Sequence, residues 1–143
     1  MKRILLVDDD RDILESTAEL LKAFGYDVTP CSDADRVLEM MRSERPDLVL
    51  HDVRMPGLDL RAQLQAVHVD SDVCRIPIVL FTAVLSAKEL AQEVGADDAI
   101  EKPFDPEDLR KVLENCEART HARLKTHLEP AHQAASRRLR EDQ

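Results

Sequence analysis

The sequence predicts an α/β fold in which five parallel strands form a doubly wound sheet. Two observations support this fold: five short apolar runs that are typical of buried parallel strands, and segments of helical periodicity between them. This alternation is the pattern of consecutive βα units, whose right-handed crossovers place helices on both faces of the sheet. We expect the strand order 2-1-3-4-5, with strands 1 and 3 side by side. A chain of 143 residues is long enough for one such domain with a substantial core.

Glycine and proline divide the first half of the chain into three strands and two helices. Gly25 ends the first helix, because glycine readily adopts the left-handed conformation that closes many helices. Pro46 separates the second helix from the strand that follows, because the residue before a proline disfavours helical backbone. The predicted strands are Arg3 to Val7, Tyr26 to Cys31 and Leu48 to Leu50, and the predicted helices are about Asp10 to Phe24 and Asp33 to Ser43.

The second half of the chain continues the same alternation. A loop over residues 53–57 leads to a third helix, whose apolar face is predicted to contain Leu60, Leu64, Val67 and Val69. The remaining elements are a strand from Ile78 to Phe81 opened by Pro77, a helix from Ser86 to Val94 stopped by Gly95, and a short strand from Asp98 to Ile100.

The last predicted helix is longer than the sheet needs. It begins at Asp105-Pro106, a capping carboxylate followed by proline at the first helical position. Apolar residues then recur at helical spacing as far as Leu128, and we expect Pro130 to end the helix. These features predict one domain over residues 1–118 and, over 119–143, a helical extension or partly disordered basic tail. The extension is a candidate for pairing with a second copy of the chain.

The charge distribution argues against direct binding to nucleic acid. Residues 1–118 carry 14 Lys and Arg against 26 Asp and Glu, whereas residues 119–143 carry six against three. The acidic body should repel phosphate backbones, and the basic tail is short. We therefore expect protein partners rather than nucleic acid.

Cysteine spacing and the amino terminus favour a cytoplasmic location. Cys31, Cys74 and Cys116 are odd in number and form neither a disulfide framework nor a metal-ligand spacing. The chain begins with Met1-Lys2-Arg3 and enters a strand without a signal-peptide apolar region. No segment approaches the length of a membrane span, so we predict reduced cysteines and no membrane partner.

Polar side chains follow four of the predicted strands, at the point where each strand ends. Asp8 and Asp9 follow strand 1, Asp52 follows strand 3, Thr82 follows strand 4 and Lys102 follows strand 5. In an open parallel sheet these ends gather along one edge, which is where such folds bind ligands. We therefore expect these five side chains to form one site.

The three carboxylates of this group predict a magnesium site. Carboxylates brought close together raise one another's pKa unless a counter-charge is present, and a divalent cation supplies it. Mg²⁺ prefers oxygen ligands and commonly uses one or two carboxylates together with a phosphate oxygen. Asp9 and Asp52 are the best candidates for direct ligands, Asp8 acts directly or through water, and the backbone carbonyl of Arg54 is a further candidate.

With a metal present, Asp52 is a candidate nucleophile toward phosphorus that would form an acyl phosphate. The metal and the Lys102 ammonium would neutralise charge on the phosphoryl oxygens, and Thr82 would donate a hydrogen bond to the product phosphate. The bond between Lys102 and Pro103 can be cis or trans, and the sequence leaves this open.

Five motifs occur in order along the chain: Val7-Asp8-Asp9, Asp52 to Gly57, Thr82-Ala83, Gly95 to Asp98 and Lys102-Pro103-Phe104. Together they resemble the receiver domain of bacterial two-component response regulators of the chemotaxis-regulator type, which implies a flavodoxin-like fold. The resemblance covers roughly residues 1–118. It implies that Asp52 takes a phosphoryl group from the phosphohistidine of a histidine kinase or phosphotransfer protein in a Mg²⁺-dependent phosphorelay. It also implies a signalling switch that catalyses only its own phosphorylation and dephosphorylation.

The chain departs from the family pattern near its expected output face. Receivers commonly carry Tyr or Phe three residues before the lysine, where this chain has Ala99. The stretch from Thr82 to Lys102 is about two residues shorter than usual, and Leu60 stands where the family often has glycine. The output partner therefore follows less directly from the resemblance than the chemistry does.

Two alternative functions are open at the sequence level. A receiver-like binding module with altered phospho-signalling would keep the fold and bind a partner without phosphate. A phosphohydrolase with an aspartyl nucleophile is less favoured, because phosphatases of the haloacid dehalogenase type normally place a second Asp two residues after the nucleophile, where this chain has Arg54. His51, beside Asp52, should point to the other side of its strand and have a packing or surface role.

Overall fold

A computed structural model describes residues 2–83 and 86–128, with side chains described as far as Arg119. Its elements alternate strand and helix throughout, as predicted. They are β1 Arg3–Val7, α1 Arg11–Ala23, β2 Asp27–Cys31, a 3₁₀ turn Ala34–Arg36, α2 Val37–Glu44, β3 Leu48–Asp52, α3 Leu60–His68, β4 Ile78–Thr82, α4 Ala87–Val94, β5 Asp98–Glu101 and α5 Pro106–Leu128.

The five strands form one parallel sheet in the order β2-β1-β3-β4-β5, which confirms the predicted topology. β1 and β3 are neighbours, with Val7 opposite His51 in the register. The next residue on each strand, Asp8 and Asp52, is therefore carried to the same edge of the sheet. β4 brings Phe81 opposite Asp52, and β5 brings Glu101 opposite Thr82.

Helices cover both faces of the sheet and enclose two hydrophobic clusters. One cluster packs α2, α3 and α4 against residues such as Leu5 and Val7 of β1. The other packs α1 and α5 against the alternate residues, Ile4 and Leu6. This alternation follows from the two-residue period of a strand, and burial on both faces explains why the strands are continuous apolar runs.

Two local expectations differ from the structure. Val69, predicted on the buried face of the third helix, caps the end of α3 and is 78% exposed. Leu64 and Val67 form the buried face, and Val69, two residues beyond Val67, lies about 200° around the helix axis from it and therefore faces solvent. The second helix begins with the 3₁₀ turn, where the Asp33 side chain accepts a hydrogen bond from the Asp35 backbone N–H.

The last helix continues well past the sheet, as predicted. α5 contains 23 residues, so its axis is about 35 Å long at the standard helical rise. Arg119 ties it to the start of β5 through a 3.1 Å contact between Arg119 Nη2 and Asp98 Oδ2. The expected end at Pro130 and the tail over 129–143 lie outside the described residues.

All three cysteines are free thiols, with Cys31 and Cys116 buried.

Among the helices of the described ranges, none combines the length and the apolar character that crossing a bilayer requires.

Candidate functional site

The carboxyl ends of four strands meet at one edge of the sheet and carry the predicted site residues. Asp8 directly follows β1, Asp52 is the last residue of β3, and Thr82 is the last residue of β4. Lys102 directly follows β5, and its backbone N–H donates to the Thr82 carbonyl at 2.7 Å. The order β1-β3-β4-β5 thus places an acidic, a second acidic, a hydroxyl and a cationic side chain in sequence along the edge.

Three carboxylates form the acidic part of the site. One oxygen atom from each of Asp8, Asp9 and Asp52 lies within 4.8 Å of the others. Asp8 and Asp52 are buried, whereas Asp9 is exposed. Asp8 is held in place by its neighbours, because its Oδ1 accepts from the Asp10 backbone N–H at 2.9 Å and its own N–H donates to the Cys31 carbonyl at 3.0 Å. The sequence prediction that these carboxylates converge is borne out by this geometry.

Lys102 supplies the positive charge of the site. Its Nζ lies 3.1 Å from Asp8 Oδ2 and 3.6 Å from Asp52 Oδ1, and its side chain is only 17% exposed. The ammonium also lies over the Phe81 ring, 4.2 Å from the ring centroid, where the ring quadrupole attracts a cation. The Lys102-Pro103 bond, left open by the sequence, is cis.

Asp52 is held by backbone hydrogen bonds in a largely desolvated position. Its Oδ1 accepts from the Val53 N–H at 2.8 Å and from the Arg54 N–H at 3.5 Å. Burial raises the pKa of the Asp52 carboxyl above its ordinary value, the Lys102 ammonium opposes this rise, and the Asp8 carboxylate adds to it. One lysine therefore faces an acidic cluster whose negative charge exceeds its own.

Thr82 lies where the sequence prediction placed it, buried at the end of β4 with 1% exposure. It stands one residue beyond Phe81, which is the β4 residue paired with Asp52. Thr82 therefore lies at the end of the strand that neighbours the strand of Asp52.

His51 is a buried residue whose hydrogen bonds the sequence did not reveal. Its side chain is fully buried, in agreement with the packing role and not the surface role. Its Nδ1 lies 2.5 Å from the Asp52 main-chain oxygen, and its Nε2 lies 2.5 Å from Gln63 Nε2 on α3. Burial lowers the pKa of His51 to about 4, so the ring is neutral at pH 7. A polar ring inside an otherwise apolar strand is the signal that partners must exist, because buried polar groups are almost always hydrogen-bonded.

Comparison with known proteins agrees with this geometry. The model of the response regulator receiver domain family matches residues 4–114. The chain is 38% identical over 126 residues to the DNA-binding response regulator MtrA of Mycobacterium leprae. The aligned region covers 87% of this chain and 52% of that protein. The chain spans about half the length of the curated relatives it matches.

Solved structures give the same result. The chemotaxis response regulator CheY4 of Vibrio cholerae superposes with a TM-score of 0.73 at 31% identity, covering 81% of this chain and 98% of that chain. The receiver domain of a sensor histidine kinase from Pseudomonas aeruginosa, solved with a magnesium ion coordinated in its active site cleft, superposes with a TM-score of 0.72 at 28% identity. It covers 80% of this chain and 95% of that chain.

A parallel sheet of this order with an acidic cluster and a lysine at its carboxyl edge defines a phosphorylation-based signalling module. The chain belongs to the response regulator receiver domain family.

Proposed function

We propose that Asp52 accepts a phosphoryl group from a phosphohistidine of a histidine kinase or phosphotransfer protein in a Mg²⁺-dependent reaction. The chain would then act as a phosphorylation-controlled switch whose output is contact with a downstream protein. The observation that carries this proposal is the position of Lys102 Nζ between the carboxylates of Asp8 and Asp52, with Asp9 completing the acidic cluster.

The donor set fits Mg²⁺. Lys102 contacts two of the three carboxylates, Asp8 and Asp52, and Asp9 completes the cluster. A divalent cation would neutralise the remaining negative charge, and all three residues offer the oxygen ligands that Mg²⁺ prefers. We assign Asp9 and Asp52 as direct ligands, Asp8 as a direct or water-mediated ligand, and the Arg54 backbone carbonyl as a further ligand. When bound, the metal supplies positive charge beside the phosphoryl oxygens. The magnesium ion in the Pseudomonas aeruginosa receiver structure supports this assignment.

The transfer step requires an ionised Asp52 with one oxygen available for attack. Oδ1 already accepts from the Val53 backbone N–H and faces Lys102, so we assign Oδ2 as the nucleophile. A new bond forms between this oxygen and phosphorus while the bond from phosphorus to the histidine nitrogen of the donor breaks, and its electron pair returns to that imidazole. The Lys102 ammonium would stabilise charge on the phosphoryl oxygens, and the Thr82 hydroxyl would donate to the product phosphate.

The proposed signalling switch also implies a division of the chain into a receiver domain and an extension. We assign the receiver domain to residues 1–118 and propose that 119–143 is an extension that contacts a downstream protein or a second copy. The acidic body favours protein partners over direct contact with nucleic acid. The DNA-binding activity named for MtrA belongs to a longer protein, of which the match to this chain covers 52%. A cytoplasmic setting is part of the same proposal.

Phosphorylation by a small donor tests the chemistry without the kinase. The protein is incubated with acetyl phosphate and Mg²⁺, and its intact mass is measured beside that of Asp52→Asn. The matched control is Asp27→Asn, which removes one carboxylate at the opposite end of the sheet, where Asp27 pairs with Arg3. We expect one phosphoryl group on the wild type and on the control, none on Asp52→Asn, and none on any of them in EDTA. A wild type that stays unmodified would contradict the proposal and favour a receiver-like binding module.

A further inference from the structure

The peptide group that follows Asp52 is held at both of its polar atoms. Its carbonyl oxygen, which belongs to Asp52, lies 2.5 Å from His51 Nδ1. Its N–H, which belongs to Val53, donates to Asp52 Oδ1 at 2.8 Å. Because a peptide group is planar, the orientation of its carbonyl fixes the orientation of its N–H. The His51 ring and the Asp52 carboxylate are therefore connected through one rigid plane.

The hydrogen-bonding partners of His51 define which nitrogen carries the proton. A carbonyl oxygen only accepts, so Nδ1 must be the donor toward Asp52. In the neutral ring Nε2 is then an acceptor, and the group that faces it is the side-chain amide nitrogen of Gln63, which donates. The arrangement is satisfied at both ring nitrogens only in this tautomer. Gln63 is on α3, so the plane beside Asp52 is anchored to a helix as well as to the strand.

We propose that His51 is a positioning residue for the phosphoacceptor: with Gln63 it fixes the Asp52-Val53 peptide plane and thereby the orientation of the Asp52 carboxylate. The inference rests on the proposed function, because it assigns His51 a part in the phosphorylation of Asp52. His51 itself faces the side of the sheet covered by α2, α3 and α4, since it is paired with Leu80, and it touches no reacting atom. It acts on the reaction only by fixing the orientation of the Asp52-Val53 peptide group.

The consequence is kinetic. A carboxylate that is free to rotate spends less time with Oδ2 aligned for attack, and small misplacements of reacting groups reduce rates by large factors. Removing the ring donor should therefore lower the maximal phosphorylation rate without altering the phosphodonor concentration for half-saturation. A residue that only fills the core would change stability and leave this rate unchanged in the folded protein.

Three variants separate positioning from packing. His51→Leu keeps an apolar side chain but removes the donor, whereas His51→Asn keeps an N–H group at the place of Nδ1. Gln63→Leu removes the second anchor on a half-buried helix position, where the fold tolerates change better. The matched control is Val49→Ala, a fully buried residue on the same strand and the same face, with no polar group to offer.

Phosphorylation by acetyl phosphate at saturating Mg²⁺ supplies the first readout. We expect the maximal rate to fall on the order of 10-fold in His51→Leu. Gln63→Leu should show a smaller fall in the same direction, and His51→Asn should recover most of the rate. Val49→Ala should match the wild type once the folded fraction is accounted for. A His51→Leu protein that is folded and reacts at the wild-type rate would overturn the positioning role while leaving the proposed function intact.

Amide hydrogen exchange of Val53, measured in EDTA relative to core amides of β1, supplies a readout that needs no phosphate. We expect faster exchange in His51→Leu and Gln63→Leu, recovery in His51→Asn and no selective change in Val49→Ala. If the wild type accepts no phosphate but Val53 exchange changes among the variants as expected, the proposed function fails while the role of His51 in orienting the Asp52 carboxylate is supported. If Val53 exchange is the same in all variants, the positioning role is refuted whatever the phosphorylation result.

Discussion

Lys102 is the residue on which the stability of the metal-free site depends most. Its Nζ lies 3.1 Å from one carboxylate oxygen and 3.6 Å from another, and the two carboxylates, Asp8 and Asp52, are buried. At an effective dielectric constant of about 20, each contact has a gross Coulomb energy of about 5 kcal/mol. Most of this gain offsets the cost of removing the charges from water, so the net value of the arrangement is much smaller.

Replacing Lys102 should destabilise the fold, because its ammonium neutralises the buried carboxylates of Asp8 and Asp52. Lys102→Met keeps a side chain of similar length but removes the ammonium that lies over the Phe81 ring, and it leaves two buried carboxylates without their cation. Breaking a buried pair in this way costs about 3 to 5 kcal/mol, and the 17% exposure of the lysine side chain places the expected loss near the lower figure, about 3 kcal/mol at pH 8. Lys111→Met on the exposed face of α5 is the matched control and should change the free energy of unfolding by less than about 0.5 kcal/mol.

The loss should depend on pH and on magnesium. Without Lys102 the pKa of Asp52, already raised by burial, rises further. A carboxyl with a raised pKa in the folded state takes up a proton more readily there than in the unfolded chain, so stability increases as pH falls. The defect of Lys102→Met should therefore shrink between pH 8 and pH 5, and also when Mg²⁺ replaces the missing charge.

Urea denaturation followed by far-ultraviolet circular dichroism measures these changes, since the chain has no tryptophan. The series is run in EDTA at both pH values and again with excess Mg²⁺. A Lys102→Met protein as stable as the wild type in EDTA at pH 8 would refute the reasoning. A defect of equal size at pH 5 and pH 8 would show that packing, not the uncompensated carboxylates, is responsible.

Three further predictions follow from individual contacts. The pKa of His51 is about 4 in the folded state against 6.5 for the free group. Because the unfolded chain takes up the proton first, the free energy of unfolding should fall by about 3 kcal/mol as the pH drops from above 6.5 to below 4. His51→Leu should remove this loss in urea titrations with EDTA, and an unchanged slope would contradict it. Asp9→Asn should weaken Mg²⁺ binding by about 10-fold or more by calorimetry, with little change in stability without metal. Gly95→Ala at φ +80° would place a Cβ 2.8 Å from His68 Cε1; the expected cost is about 1 to 2 kcal/mol by urea denaturation, partly relieved by His68→Ala.

The convergence of the site could be predicted from sequence because it follows from topology alone. Asp8 and Lys102 are 94 positions apart, yet their side chains form a 3.1 Å hydrogen bond. Each follows an apolar run at the carboxyl end of a strand, and parallel strands align those ends along one edge. No prediction of side-chain packing was needed to bring Asp8, Asp52, Thr82 and Lys102 together.

Contacts that depend on the rotation and exact length of a helix could not be predicted in the same way. Gln63 reaches His51 because α3 turns that side of its surface inward, and a shift of one residue would replace the amide by a neighbour. Val69 is exposed for a different reason, because it lies about 200° around the helix axis from Val67, on the face away from the core. Helical periodicity identifies which residues share a face but does not determine where the last turn ends.

The structure gives a physical meaning to Ala99, the departure from the family pattern at the expected output face. Ala99 is buried in the same cluster as Ala87 and Ala91 of α4, and these small side chains let the helix pack directly on β5. A ring at this position would need the space that the small side chains of α4 occupy. The chemistry at the strand ends does not involve this contact, since Lys102 and Asp52 face Phe81 on the opposite side of the sheet. We therefore expect Ala99 to leave the phosphorylation of Asp52 unaffected.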